Sequence, residues 1–120
     1  MSKFVVDANV AIKWVIPEIQ TELVLSLLNN QDNLLLVPDF FFPEIGNILW
    51  KRVRRGEMNI TQAQLSLDTL KSVDIKVFPS EPLIKSALDI AYRINQAVYD
   101  CVYLSLAINH QCLMVKSIQN

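Results

Sequence analysis

Four short apolar runs, at 3–6, 34–37, 75–78 and 113–116, constrain the fold of this chain more than any other feature. Each has strand length and lacks the strict polar alternation of a strand with one wet face. Helix-like stretches separate them. The pattern predicts helices over 8–15, 18–29, 39–55, 61–72, 80–95 and 99–109. Pro17 stops the first of these, and Leu23, Leu27 and Leu28 stripe the second, which leads into a polar turn at 29–33. Asp39 is read as an N-cap with Pro43 in the first turn, and Gly56 as the stop. Thr61 and Gln64 fit a capping box, while Ser80 caps and Pro82 opens the next helix. The segment 99–109 is apolar on nearly every face, which predicts a central, covered helix. Apolar strands alternating with helices imply an α/β fold with a parallel sheet.

At 120 residues the chain fits one domain with a real core, and 52% of its residues are hydrophobic. Mean hydropathy is +0.28, yet no run approaches the ~18 apolar residues of a membrane span. The start, Met1-Ser2-Lys3, has no charged leader followed by a long apolar stretch, so a cytoplasmic location is expected. A net charge of −1 advertises no global affinity for nucleic acid; any such contact must come from a local patch. Cys101, Cys112 and His110 match no zinc spacing, and the cysteines read as buried free thiols.

Three acids sit directly against this apolar sequence. Asp7 ends the first run, Glu44 follows Phe40-Phe41-Phe42-Pro43, and Asp100 opens the segment Cys101 to Ile108. An ionised carboxylate leaves water only with a cation or dense hydrogen bonding. In a parallel α/β fold, Asp7 falls beyond a strand's carboxyl end, where such folds bind ligands. Mg²⁺ takes hard oxygen ligands, and one or two ions serve phosphodiester hydrolysis. Each acid also has an ordinary reading: Asp7 and Asp100 as caps, Glu44 as a first-turn acid favoured by the helix dipole.

Val5-Val6-Asp7-Ala8-Asn9-Val10, the stretch from Val37 to Leu49, and Tyr99-Asp100-Cys101-Val102-Tyr103-Leu104-Ser105-Leu106-Ala107 together resemble PIN domains. The likeness is strongest to VapC-type toxins of bacterial toxin–antitoxin pairs and runs through nearly the whole chain. It implies a single PIN-like domain, three layers with a short central parallel sheet flanked by helices. The implied activity is a Mg²⁺- or Mn²⁺-dependent endoribonuclease that binds RNA and is held inactive by an antitoxin encoded beside it. On this reading Asp7, Glu44 and Asp100 bind metal and activate water, while Asn9 and Asn47 support them by hydrogen bonding. The alternative is a non-cleaving PIN-like module that binds RNA or antitoxin. A receiver-like phosphoacceptor would need a paired acid near the first strand, and only Asp7 is there.

One departure stands out. The family's fourth acid would fall at Ile118, Lys116 puts a positive charge nearby, and the family's further strand and helix are not seen after Asn120. A nearby ammonium competes with Mg²⁺. The basic run Lys51-Arg52-Val53-Arg54-Arg55 complements the helix dipole or offers phosphate contacts, with Lys51 and Arg55 on the side of Glu44. Trp14 and Trp50 read as core or interface residues before base-stacking ones. Phe40, Phe41 and Phe42 cannot all face one core from one turn. At least one is therefore expected to meet an antitoxin helix or a second copy, in keeping with the dimers implied by the resemblance.

Overall fold

The computed structural model describes residues 2–16 and 32–116, so the expected helix over 18–29 and Ile118 lie outside the described residues. Strands β1 (Ser2–Val6), β2 (Asn33–Pro38), β3 (Ile75–Phe78) and β4 (Leu113–Val115) pair entirely in parallel, in the order β3-β2-β1-β4. Phe4 lies opposite Leu35 on one side and Leu113 on the other, so β1 is central. Val5, Val6, Leu35, Leu36 and Val37 are buried, whereas the edge strands β3 and β4 have no fully buried residue. The unbroken apolar runs of β1 and β2 are thus the signature of strands covered on both faces.

Helices flank this sheet: α1 (Ala8–Val15), α2 (Phe41–Arg54), α3 (Ile60–Lys71), α4 (Ile84–Ile94) and α5 (Val98–Asn109). α5 packs on β1, β2 and β4, and α4 packs on α5. α1, α2 and α3 pack on one another. The apolar sequence of α5 is explained by burial of Cys101, Val102, Tyr103, Leu106 and Ala107. Its ends are not covered: Tyr99 and Ile108 are exposed. Buried Ser105 is satisfied by Ser86 at 3.0 Å, hydroxyl to hydroxyl. Among the described residues no helix is long and apolar enough to cross a membrane.

Three caps differ from the sequence reading. Asp39 does not cap α2, which begins at Phe41 with Phe40 as an N-cap that makes no side-chain bond. Strand β2 runs on to Pro38, which leaves Asp39 in the turn. Its carboxylate accepts the Ser80 backbone N–H at 3.1 Å, tying the ends of β2 and β3 together. The capping box of α3 is Asn59 with Gln62, not Thr61 with Gln64. Asn59 is the last extended residue, so its Oδ1 reaches Gln62 N at 2.8 Å, while Gln62 Oε1 accepts Asn59 N–H at 2.9 Å. Ser80 makes no cap bond; a 3-10 turn over Glu81–Leu83, containing Pro82, leads into α4. Gly56 does end α2, at φ +76°.

The phenylalanine run also resolves internally. Phe41 is fully buried, Phe42 packs edge-on against it at 5.1 Å, and Phe40 packs edge-on against Tyr99 and Tyr103 at 5.0 and 5.5 Å. The turn into α2 thus sends Phe41 into the core and leaves Phe40 and Phe42 partly buried on either side of it.

Candidate functional site

The strand order places the site. The chain leaves β1 toward β2 and β3 on one side, then returns to add β4 on the other. That reversal opens a crevice beyond the carboxyl end of β1. Asp7 is the first residue there. It is 7% exposed, and its carboxylate caps α1 by accepting Val10 N–H at 2.9 Å.

Two other segments converge on the crevice. Glu44, in the first turn of α2, and Asp100, in the first turn of α5, line the same pocket as Asp7. Asn9, Asn47, Ile48, Lys51 and Tyr103 complete most of its wall, around about 200 Å³. Glu44, Asn47, Ile48 and Lys51 recur at helical spacing along one side of α2. The sequence-predicted residues therefore meet, with one exception. Arg55 does not line the pocket; its guanidinium pairs with Glu57 at 3.1 Å and donates to the Lys51 carbonyl. Arg52 also reaches Glu57, and Arg54 lies over the ring of exposed Trp50 at 5.4 Å. Trp14 is half-buried against the core.

Tyr103 has a role in the pocket that its apolar sequence context does not announce. Its hydroxyl donates to Glu44 Oε1 at 2.6 Å. Burial, and then Glu44 itself, push the phenol far above its usual pKa, so it stays a proton donor. The spacing Asp100 to Tyr103, three residues on one helical side, was the available signal. Glu44 has a raised pKa, first because it is half-buried and then because Asp100 and Asp7 repel its charge; the Tyr103 bond works against both. Lys116 is exposed, and its charge is felt at Cys101, but it is not part of the pocket wall. Lys51 is the cation that is, among the described residues. Cys101 and Cys112 are free, and burial raises both thiols above their usual pKa, as suits structural cysteines.

Three carboxylates and two amide side chains are the hard-oxygen donors that Mg²⁺ prefers. Their arrangement does not fit an ion as it stands: among the described residues no group of three or more His, Cys, Asp or Glu side chains could hold a metal. Asp7 accepts the Val10 N–H through Oδ1 and Glu44 accepts the Tyr103 hydroxyl through Oε1, one bond to one oxygen in each case. The pocket is therefore an acidic one, with a single lysine against three acids.

Comparisons with known proteins agree with this architecture. The PIN domain profile matches residues 4–117. Ribonuclease VapC3 of Pyrobaculum aerophilum is 30% identical over 107 residues, which are 88% of this chain and 81% of that protein. The crystal structure of PAE2754 from the same organism superposes with a TM-score of 0.77 at 21% identity, covering 98% of this chain and 76% of that one. VapBC2 of Rickettsia felis, bound to a promoter DNA fragment, gives 0.66 at 14% identity, with 95% of this chain and 86% of that one covered. A toxin–antitoxin complex from Klebsiella pneumoniae gives 0.62 at 13%, covering 97% and 85%. The match along almost the whole sequence is decisive: the chain belongs to the PIN domain family and is homologous to the VapC ribonucleases of toxin–antitoxin systems.

Proposed function

We propose that this chain is the PIN-domain partner in a toxin–antitoxin pair, and that its pocket takes up a cationic group of the antitoxin without cleaving RNA. The observation that carries this is the pocket's balance: Asp7, Glu44 and Asp100 face one cation, Lys51, and no three or more of the described His, Cys, Asp and Glu side chains are grouped so as to hold a metal. Such a pocket attracts a guanidinium or ammonium and repels a bare phosphate. A second feature supports a protein partner. Gly46, Leu49, Trp50, Val53, Ile60, Ala63 and Leu67 line an apolar groove of about 180 Å³ between α2 and α3, of a kind that suits an apolar segment. In this reading Asp100, which makes no hydrogen bond or ion pair among the described residues, contributes the receiving carboxylate, with Asn9 and Asn47 as supporting polar groups.

The convergence of all three acids also favours a second reading, the Mg²⁺- or Mn²⁺-dependent endoribonuclease. There Asp7, Glu44 and Asp100 would be the metal and catalytic residues, and Lys51 would meet substrate phosphate. A ribonuclease assay with Mg²⁺ or Mn²⁺ on the parent, Asp7→Asn and Asp100→Asn separates the two. The first reading expects no metal-dependent cleavage by the parent. Cleavage that disappears in both variants would replace it with the second. Coexpression with the small protein encoded alongside tests the partner: Asp100→Lys should weaken that complex at least about tenfold, the usual cost of a like charge in a contact.

A further inference from the structure

Beyond the carboxyl ends of β2 and β3 lies a second cleft, of about 380 Å³, within the ~300–1,000 Å³ of small-molecule sites. Its walls are apolar: Ile84 from the start of α4, Val98, Tyr99 and Val102 from α5, and Phe40 from the turn before α2. Val102 is fully buried and Tyr99 is 65% exposed, so the cleft has a closed floor and an aromatic rim. Phe40 meets Tyr99 and Tyr103 edge-on. This group of rings is the wall that the cleft shares with the acidic pocket, which Tyr103 lines. The polar groups of the cleft are Asp39 and Ser80, just past the two strands. Asp39 is held through one oxygen, Oδ2, which accepts the Ser80 backbone N–H at 3.1 Å. That N–H, and then the Ser80 hydroxyl, keep the carboxyl below its usual pKa, so it is ionised at neutral pH. A carboxylate has about four acceptor positions, which leaves room for a further donor. Among the described residues no cation lines the cleft.

We propose that this cleft binds a small arylalkylammonium ion, an aromatic ring that carries a primary amine on a short chain. The ring packs among Val98, Tyr99 and Val102, and the ammonium donates to Asp39. Charge selects the sign of the ligand. A carboxylate with no cation in the wall around it attracts an ammonium and repels the phosphate of a nucleotide. The apolar wall selects the body, because a bare inorganic cation would leave those side chains facing water. Phe40 and Tyr99 select a ring, since aromatic groups already packed edge-on accept a third in the same edge-on or offset manner. Asp39 stands at the exposed rim, so an ammonium bound there keeps its remaining N–H groups in water. The site lies outside the acidic pocket, and it depends neither on what that pocket binds nor on whether RNA is cleaved there.

The test uses 2-phenylethylammonium chloride, added to the full chain at neutral pH and low salt. Backbone amide NMR should show shifts centred on Phe40, Ser80, Tyr99 and Val102, with a Kd of about 0.1–1 mM for a ligand of this size. The uncharged 2-phenylethanol should bind at least about tenfold more weakly. Phenylacetate, with the opposite charge, should cause no shifts. Asp39→Asn keeps an acceptor for Ser80 and should weaken the amine at least about tenfold, and Tyr99→Ala about fivefold. Asp7→Asn, in the acidic pocket, should leave the affinity within about twofold. Absence of saturation by about 10 mM, or equal binding of the alcohol, overturns the proposal. So does binding that Asp7→Asn abolishes and Asp39→Asn spares, which would put the amine in the acidic pocket. A lysine peptide, acetyl-Phe-Lys-amide, binding more than about tenfold tighter than the free amine would also overturn it, in favour of a protein contact.

Discussion

Tyr103 sets the chemistry of Glu44. The hydroxyl of a buried residue on α5 reaches an acid on α2, so one hydrogen bond joins two walls of the pocket. Tyr103→Phe leaves a half-buried carboxylate without its donor and should cost about 1–3 kcal/mol in urea unfolding. It should also move the Glu44 carboxyl further up, because the one lowering influence is gone. Carbon-detected NMR titration checks the second effect; an unmoved Glu44 would contradict it. The raised pKa has a stability consequence. The folded chain binds that proton more tightly than the unfolded chain, so its contribution is complete below the ordinary value of 4.5 and is lost as pH rises through the folded value. Glu44→Gln keeps an acceptor for Tyr103 and removes the titration. Its urea midpoint should exceed the parent's at pH 7 and lose that advantage at pH 4. The three acids were legible in the sequence because each breaks an apolar context. Tyr103 was not, because an aromatic residue in an apolar helix looks like core, and its 2% exposure makes it core as well.

Among the elements, the caps were the least legible. A capping box is defined by which residue is the last extended one, and Asn59-Ile60-Thr61-Gln62 with Thr61-Gln62-Ala63-Gln64 offers two frames two residues apart. The backbone chooses Asn59, at φ −94° and ψ 170°. Asn59→Ala should therefore cost about 1 kcal/mol and Thr61→Ala only a few tenths, with chemical denaturation as the measure. Equal costs would move the helix start. Asp39 carries the same lesson. Its sequence context reads as an N-cap, but the bond it makes spans to Ser80, and contacts so distant in the chain leave no local pattern. That bond holds the Asp39 carboxyl below its usual pKa. The strands, by contrast, were plain. Burial of Val5 and Val6 in β1 and of Leu35 to Pro38 in β2 dictates residue type there, and the apolar runs follow directly.

For the whole molecule, alternation of strand and helix made a parallel sheet readable, but nothing local announced that β4 would join β1 on its free side. That choice creates the crevice and gathers Asp7, Glu44 and Asp100 from segments distant in the chain. Gathering acids has a cost in repulsion, visible in the raised pKa of Glu44. A cation that fits would relieve this cost, and binding only the folded state would raise thermal stability by mass action. An ion present at ten times its dissociation constant adds about 1.4 kcal/mol. In a chain of this size that amounts to about 4–6 °C in Tm. Because the described acids form no metal-holding group, 10 mM MgCl₂ or MnCl₂ should shift Tm by less than about 1 °C relative to NaCl at matched ionic strength, where screening of surface charges is equal. Asp7→Asn and Glu44→Gln should not change that response. A rise of several degrees that both variants abolish would mean that the carboxylates rearrange around an ion. It would favour the metal-dependent ribonuclease over the cation-accepting partner, without the need to identify an RNA target.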